Sequence, residues 1–335
     1  MNMTNSHHLS SSIAIAGVAE SDLGKVPDKT ALELQAQASR RALVDAGLTL
    51  RDVDGVFAHT DDRFSSLQLS EYLGLKPRYV DSSNVGGMSN IMHVRHAMAA
   101  INAGFCEVAL ITYGSTQLSD GSRNLTGLVE DPRSPRGQFI VPHGQLSPIG
   151  YYAMVAQLHM HRFGSTPADL AEIAVSARQW ANLNPKAYRR GDLSLDDVMA
   201  SPVVAAPLRG RDCCLVTDGG GALIVTSAAR ARSLPKAPVY VKGIAESFSH
   251  HYTPLDIDDW LDTRVAETAN AALAMAGVTR DEIDVVQIYD HFTIGVLQSL
   301  EELGFCKRGE GKDFVKGGRL APGGAFPINT SGGGL

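Results

Sequence analysis

Ala42-Leu43-Val44-Asp45-Ala46-Gly47-Leu48-Thr49-Leu50-Arg51-Asp52-Val53-Asp54-Gly55-Val56 and the stretch Ala272–Val286 are identical at seven of fifteen positions. The shared residues include Ala46-Gly47 with Ala276-Gly277, and Asp54 with Asp284. Each stretch reads as the end of a helix, a glycine suited to a left-handed C-terminal cap, and a run into a strand. The order also holds upstream. Gly243, Ala245, Glu246 and Ser247 repeat Gly17, Ala19, Glu20 and Ser21 behind an apolar strand, and a helix over Val265 to Ala276 repeats one over Ala31 to Ala46. Helix, glycine and strand form a common local solution, but two matches in the same order indicate duplication. Strands alternating with helices in both copies place the chain in the α/β class, with halves at 1–235 and 236–335. Ligands of such sheets bind beyond the C-terminal ends of strands, and the repeat sets Tyr289 opposite His59.

Between the copies, Arg78 to Gly87 reads as a strand entering a glycine turn, Ser89 to Asn102 as a helix and Val108 to Thr112 as a buried strand. Residues 114–203 begin rich in loops and proline, then turn helical over Tyr151 to Arg162 and Thr166 to Asn182, which suits an insertion covering the sheet ends. A strand over Ala222 to Thr226 closes the first half.

The 335 residues carry 30 basic and 36 acidic side chains, a formal net charge of −6. No basic footprint for nucleic acid or a membrane surface exists, so small molecules and proteins are the expected partners. The four cysteines, Cys106, Cys213, Cys214 and Cys306, form no C-x-x-C pair and no zinc spacing, which fits a reduced, cytoplasmic setting. The apolar run at Ile13 to Val18 is too short for a signal peptide or a membrane span.

Chemistry is expected at Val286-Gln287-Ile288-Tyr289-Asp290-His291-Phe292-Thr293. There an apolar, β-branched run delivers proton-active side chains at a strand end. A second glycine-rich stretch follows at Pro327-Ile328-Asn329-Thr330-Ser331-Gly332-Gly333-Gly334-Leu335. In the first half the comparable Asp81 to Gly87 turn leads on into a helix and a strand. By that analogy the second half is expected to continue for on the order of 40–60 residues past Leu335.

Several stretches together resemble the thiolase superfamily: Gly17-Val18-Ala19-Glu20-Ser21, Asp45-Ala46-Gly47 with Asp52-Val53-Asp54-Gly55-Val56, Leu208 with Asp212-Cys213-Cys214 and Thr217-Asp218-Gly219, and Pro327 to Gly333. Within it the chain is most similar to the lipid-transfer-protein-type (sterol carrier protein thiolase-like) aldolases of bacterial steroid side-chain degradation. That similarity rests on Tyr289-Asp290-His291-Phe292-Thr293, Leu300 to Cys306, Gly309 to Phe314 and Pro142-His143-Gly144. The resemblance implies a five-layer αβαβα fold, a homodimer and an acyl-CoA substrate. It also implies a small accessory subunit with an OB-fold and zinc ribbon, giving a heterotetramer, and a second catalytic tyrosine beyond Leu335.

A thiolase needs a nucleophilic cysteine in the turn before the Ser89 helix, where a helix N-terminus lowers the thiol pKa. Here that turn reads Ser83-Asn84-Val85-Gly86-Gly87, and an amide cannot form an acyl-enzyme. The turn can still offer backbone N–H groups to an oxyanion, so Asn84, Gly86 and Gly87 are substrate-binding candidates. Retro-aldol cleavage of a β-hydroxyacyl-CoA to a ketone and a shorter acyl-CoA needs no covalent nucleophile. Tyr289 is assigned the proton exchange with the substrate hydroxyl. A phenol titrates near pH 10 unperturbed, so as a base it needs tuning, and His291 can tune it or donate to the thioester oxygen. Asp290 suits anchoring of the turn. His143, in a proline-flanked loop, and Asn329 and Gly333, in the glycine turn, are further substrate-side candidates. The pairs His93/His96, His159/His161 and His250/His251 show neither the carboxylate nor the third ligand of a metal site, so no metal and no cofactor are assigned to this chain. The alternatives are a thiolase or acyltransferase with an unusual nucleophile, and a non-catalytic acyl-CoA-binding subunit.

Overall fold

The computed structural model describes residues 7–60, 64–122, 131–144, 147–249 and 260–335. In chain order the elements begin β1 (Ile13–Glu20), α1 (Ala31–Ala46), β2 (Gly55–Ala58), α2 (Ser65–Leu73), β3 (Tyr79–Asp81), α3 (Ser89–Asn102) and β4 (Val108–Ser115). Next come α4 (Pro135–Phe139), α5 (Pro148–Phe163), α6 (Pro167–Leu183), α7 (Leu195–Ala200), β5 (Val203–Ala205) and β6 (Leu208–Arg209). The chain continues through β7 (Gly219–Ser227), α8 (Ala228–Ala231), β8 (Val239–Tyr240), α9 (Val265–Ala276), α10 (Thr293–Glu302) and α11 (Gly311–Phe314). The elements fall into two compact units, both discontinuous in sequence. The first comprises 1–122, 216–246 and 270–278, and the second 123–215, 247–269 and 279–335.

The first unit holds a six-stranded mixed sheet in the order β3-β2-β4-β7-β1-β8. Strands β3, β2 and β4 run parallel because α2 and α3 supply the crossovers, whereas β7 pairs antiparallel with both β4 and β1. Strand β2 is buried along its whole length, which is why Gly55-Val56-Phe57-Ala58 shows no polar alternation. Helix α1 starts at a capping box in which Glu33 N–H donates to Thr30 Oγ1 and Thr30 N–H to Glu33 Oε2. It ends at Gly47, whose φ of 69° is left-handed. Its buried stripe is small, with Ala38, Ala42 and Ala46 fully buried beside Leu34. Small residues let the helix backbone lie against the sheet, and a Cβ on Gly17 would collide with Ala42 O. The second copy repeats this contact inside the same unit, since a Cβ on Gly243 would collide with Ala272 O. It repeats the next turn as well. Thr49 with Asp52 and Thr279 with Glu282 form equivalent capping boxes on short 3-10 turns.

One carboxylate ties the loops at the strand ends of this unit. Asp218 is fully buried and accepts from Val26 N, Leu118 N and Ser119 N, with the Ser119 hydroxyl as a further donor. Burial alone would raise its pKa, but these donors hold it below the ordinary aspartate value.

The second unit packs α5, α6 and α10 around a core that includes Leu170, Ile173, Ile294, Leu297 and Leu300. Its expected strand over 286–293 is not laddered: isolated bridges join Val286 to Ile328 in parallel and Cys213 to Phe292 antiparallel. Similarly, β8 spans two residues where β1 spans eight. In the 286–293 segment a side chain replaces the neighbouring strand, as described next. Gly17→Ala should cost about 1–3 kcal/mol in denaturant unfolding through overpacking against α1. Gly221→Ala, whose Cβ would stand 3.9 Å from Ala19 O, should stay within about 0.5 kcal/mol of wild type.

Candidate active site

The segment from Val286 to Phe292 is held from two sides within the second unit. On one side Val286 N–H donates to Pro327 O, Asn329 N–H to Val286 O, and Ile288 N–H to Asn329 Oδ1 at 2.8 Å. The Asn329 amide therefore takes the place of a strand carbonyl. Its backbone sits at φ 48°, left-handed, a conformation asparagine tolerates better than most residues. On the other side Cys214 N–H donates to His291 O, and Leu215 N–H to Gly334 O.

Asp290 closes the frame. Its carboxylate is buried and accepts Gly334 N–H at 2.8 and 2.9 Å and Leu335 N–H at 3.3 Å. Burial pushes its pKa up, and the backbone donors only partly offset this. Gly333 has φ 63°, and any Cβ there would collide with Asp290 Oδ2, so glycine is required twice over. Asp290 and Asn329 thus spend their polar atoms on backbone and on each other.

The frame leaves Tyr289 and His291 side by side. The Tyr289 side chain is 71% exposed, and its ring stacks on His291 at 4.8 Å between centroids. His291 Nδ1 lies 3.1 Å from Tyr289 O. A carbonyl can only accept, so Nδ1 carries the hydrogen and Nε2 the lone pair. Nε2 is buried with no hydrogen-bond partner among the described residues. Burial lowers the imidazole pKa to about 4, outweighing the bond to Tyr289 O, so the ring is neutral through the physiological range. Its place is fixed by Tyr152, edge-on at 4.3 Å, and by Gly295 of α10, where a Cβ would lie 2.6 Å from His291 Cε1. Thr293 starts α10 and donates to buried Asp212 at 2.8 Å, which anchors the helix behind the pair. Tyr152 and Gly295 escaped the sequence reading. A lone glycine inside the helical Thr293–Glu302 pattern was the available signal for the second.

His143 lies on an exposed 3-10 turn of the same unit, ending at Gly144 with φ 82°. Asn84, Gly86 and Gly87 belong to the first unit. There Asn84 Nδ2 donates to Thr60 O and its Oδ1 accepts Gly86 N–H, tying the turn before α3 to the end of β2. Gly86 and Gly87 have open space where a Cβ would stand. Carboxylates distant in sequence do reach two of the histidine pairs. His96 Nδ1 meets Asp81 Oδ2 at 2.5 Å, and His159 lies 3.1 Å from Glu301 Oε1. Each makes a hydrogen-bonded pair, and no cluster of three or more potential metal ligands occurs among the described residues. His250 and His251 lie outside the described residues.

The thiols are poorly suited to nucleophilic work. Burial pushes Cys106 up to about 11, and Cys213 and Cys306 up to about 12.

A mixed-sheet α/β fold with no cysteine at the turn before α3 defines a thiolase-like protein built for another reaction. Residues 246–335 match the family model described as thiolase C-terminal domain-like. The chain is 36% identical to 17-hydroxy-3-oxo-4-pregnene-20-carboxyl-CoA lyase of Mycobacterium tuberculosis, over 98% of this chain and 87% of that protein. It is 34% identical to the steroid side-chain-cleaving aldolase of Thermomonospora curvata, over 96% and 85%. Among solved structures, the Ltp2-ChsH2(DUF35) aldolase superposes with a TM-score of 0.89 at 32% identity, over 97% of this chain and 85% of that chain. The chain belongs to the thiolase superfamily and, within it, to the steroid side-chain-cleaving aldolases.

Because the folded pKa of His291 is depressed, its neutral form contributes stability above pH 6.5 that is lost as pH falls toward about 4. Unfolding free energies measured across that window should fall more steeply for wild type than for His291→Asn. Parallel curves would contradict a buried, neutral ring.

Proposed function

We propose that this chain is a carbon–carbon lyase that cleaves a β-hydroxyacyl-CoA by a retro-aldol reaction, with a steroid side-chain CoA thioester as substrate. The observation that carries this reading is the adjacency of Tyr289 and the bare Nε2 of His291 in a chain whose α3 turn offers Asn84 in place of a thiol. Starting as its phenolate, Tyr289 takes the proton of the β-hydroxyl and becomes the neutral phenol as the Cβ–O bond becomes a carbonyl. The Cα–Cβ electron pair moves onto the thioester as an enolate, and a proton then returns to Cα. The products are a ketone and a shorter acyl-CoA. His291, neutral and stacked on the Tyr289 ring, holds the phenol in place for the substrate hydroxyl. In the second unit the donor to the enolate oxygen comes from the glycine turn at Gly333, and in the first unit the turn of Gly86 and Gly87 is a substrate-binding element. Asn84 and Asn329 hold those turns, and His143 contacts the thioester from its loop.

A phenol 71% exposed cannot run proton transfer in a dry site unless something covers it. A small accessory subunit with an OB-fold and zinc ribbon supplies the cover, as the pairing of Ltp2 with ChsH2(DUF35) in the solved aldolase supports. The zinc belongs to that subunit. The chain itself forms a homodimer through the open edge of β3. Val80 is 40%, Met88 56% and Ile91 61% exposed beside that edge, an apolar surface that pairing of two edges would bury. Two such chains and two accessory subunits give the heterotetramer. No helix among the described residues is long and apolar enough to cross a membrane, and the free thiols and acyl-CoA substrate agree with a cytoplasmic setting.

Incubation with a β-hydroxyacyl-CoA, with and without the accessory subunit, should yield ketone and shortened acyl-CoA in equal amounts. Tyr289→Phe should lower kcat about 10²–10⁴-fold in the reconstituted complex. Unchanged turnover in that variant would remove Tyr289 from the mechanism. In sedimentation, Ile91→Glu should shift the chain from dimer to monomer.

A further inference from the structure

Arg178, on α6, is 5% exposed, and no hydrogen bond or ion pair reaches it among the described residues. Its Nε is buried without a hydrogen-bond partner. Helix α7 and the 3-10 turn Gly210–Asp212 pack on this part of α6, and neither brings it a carboxylate. The charges that act on Arg178 are two more cations: Arg211, half-buried on that turn, and Arg189, exposed in the segment between α6 and α7. The nearby acids are committed elsewhere. Asp197 accepts Ser194 N–H and Oγ at the start of α7, although its charge also acts on Arg211, and Asp212 accepts from Thr293 and from Arg209 N–H.

A lysine in such a place could shed its proton, but a guanidinium stays charged at any pH a protein survives. Burying it among cations is unfavourable by far more than a helix C-terminus returns. Moreover, Arg178 lies more than a turn before Leu183, the last residue of α6, beyond the reach of that terminal field. An apolar side chain could be buried at this position of α6, one turn after buried Ala174, at no such cost. What a guanidinium adds is a planar fork of donors that fits a tetrahedral oxyanion two bonds at a time.

We infer that Arg178, with Arg211 of the turn packed against α6 and Arg189 of the segment that follows α6, forms a binding site for a phosphate group. Three cations graded from buried to exposed match a dianion better than a single carboxylate. The phosphate comes either from free inorganic phosphate or from the 3′-phosphate of a coenzyme A ester. The inference stands on the second unit alone and does not depend on the lyase reading.

The test is thermal unfolding of the full chain in inorganic phosphate against chloride at matched ionic strength, together with calorimetric binding of coenzyme A and 3′-dephospho-coenzyme A. Saturating phosphate should raise the wild-type Tm on the order of 2–5 °C. Arg178→Met should be at least as stable as wild type in chloride and show no rise in phosphate. Arg211→Gln leaves the buried position intact and should weaken the response about tenfold in phosphate concentration, so a misfolded Arg178→Met would not leave the question open. Should coenzyme A be the source, wild type binds it at least about tenfold more tightly than the dephospho form, and Arg178→Met abolishes the difference. Equal binding of the two, with a phosphate response that depends on Arg178, identifies the free ion. A wild-type chain indifferent to both probes, or a response retained in both variants, overturns the site.

Discussion

The Asp290 carboxylate, buried and bound to the N–H groups of Gly334 and Leu335, is the constraint on which the site of the second unit depends. A buried carboxylate is unfavourable by several kcal/mol unless its oxygens are filled, and each hydrogen bond to a charged group returns about 1.5–3 kcal/mol. Backbone N–H groups are the donors, so the carboxylate fixes the path of the chain over 333–335, and Gly333 must have no side chain. The consequence passes along the main chain. With Asp290 and Asn329 pinned on either side, the carbonyl of Tyr289 faces the His291 ring, and that carbonyl selects the tautomer. A backbone restraint thereby decides which imidazole nitrogen is left bare.

The thiolase fold accommodates a change of reaction because it supplies the means to hold a thioester enolate separately from the nucleophile. Here the turn before α3 keeps its glycines and its tie to β2, while Asn84 spends its amide on Thr60 O and Gly86 N–H. The remaining thiols offer no substitute. Cys106, Cys213 and Cys306 all have pKa values raised by burial, so the thiolate that a Claisen step requires is scarce at neutral pH.

Helices α1 and α9 were legible to the residue, because local signals bound them: the capping box at Thr30 and the left-handed glycines Gly47 and Gly277 depend on near neighbours in sequence. The Tyr289–His291 pair was legible as two polar residues at the end of an apolar run. The strand expected at 286–293 was not formed as a ladder, since its neighbour is the side chain of Asn329, and no pattern of hydrophobicity reports that substitution. Equally hidden were partnerships across long stretches of chain. His159 and Glu301 are far apart in sequence, and Arg178 looks in the α6 sequence like an ordinary polar position on an amphipathic helix. A charge buried by tertiary packing is invisible until the packing is known.

Tyr289 and His291 differ in solvation, and on the proposed reaction that difference divides their work. His291 cannot be the acid, because burial holds its pKa near 4 and the ring has no proton on Nε2 to give. Nor can it be a strong base, for the same desolvation that keeps it neutral opposes the imidazolium. A neutral ring stacked on Tyr289 can instead fix the place of the phenol without adding a charge beside it. Tyr289 is the complement. Its hydroxyl is reached from solvent in this chain, and a covering subunit would remove that water only once substrate and partner are both in place. On the proposed reaction, proton exchange at the phenol would be gated by assembly, while the imidazole, already dry, would hold the phenol ring in place.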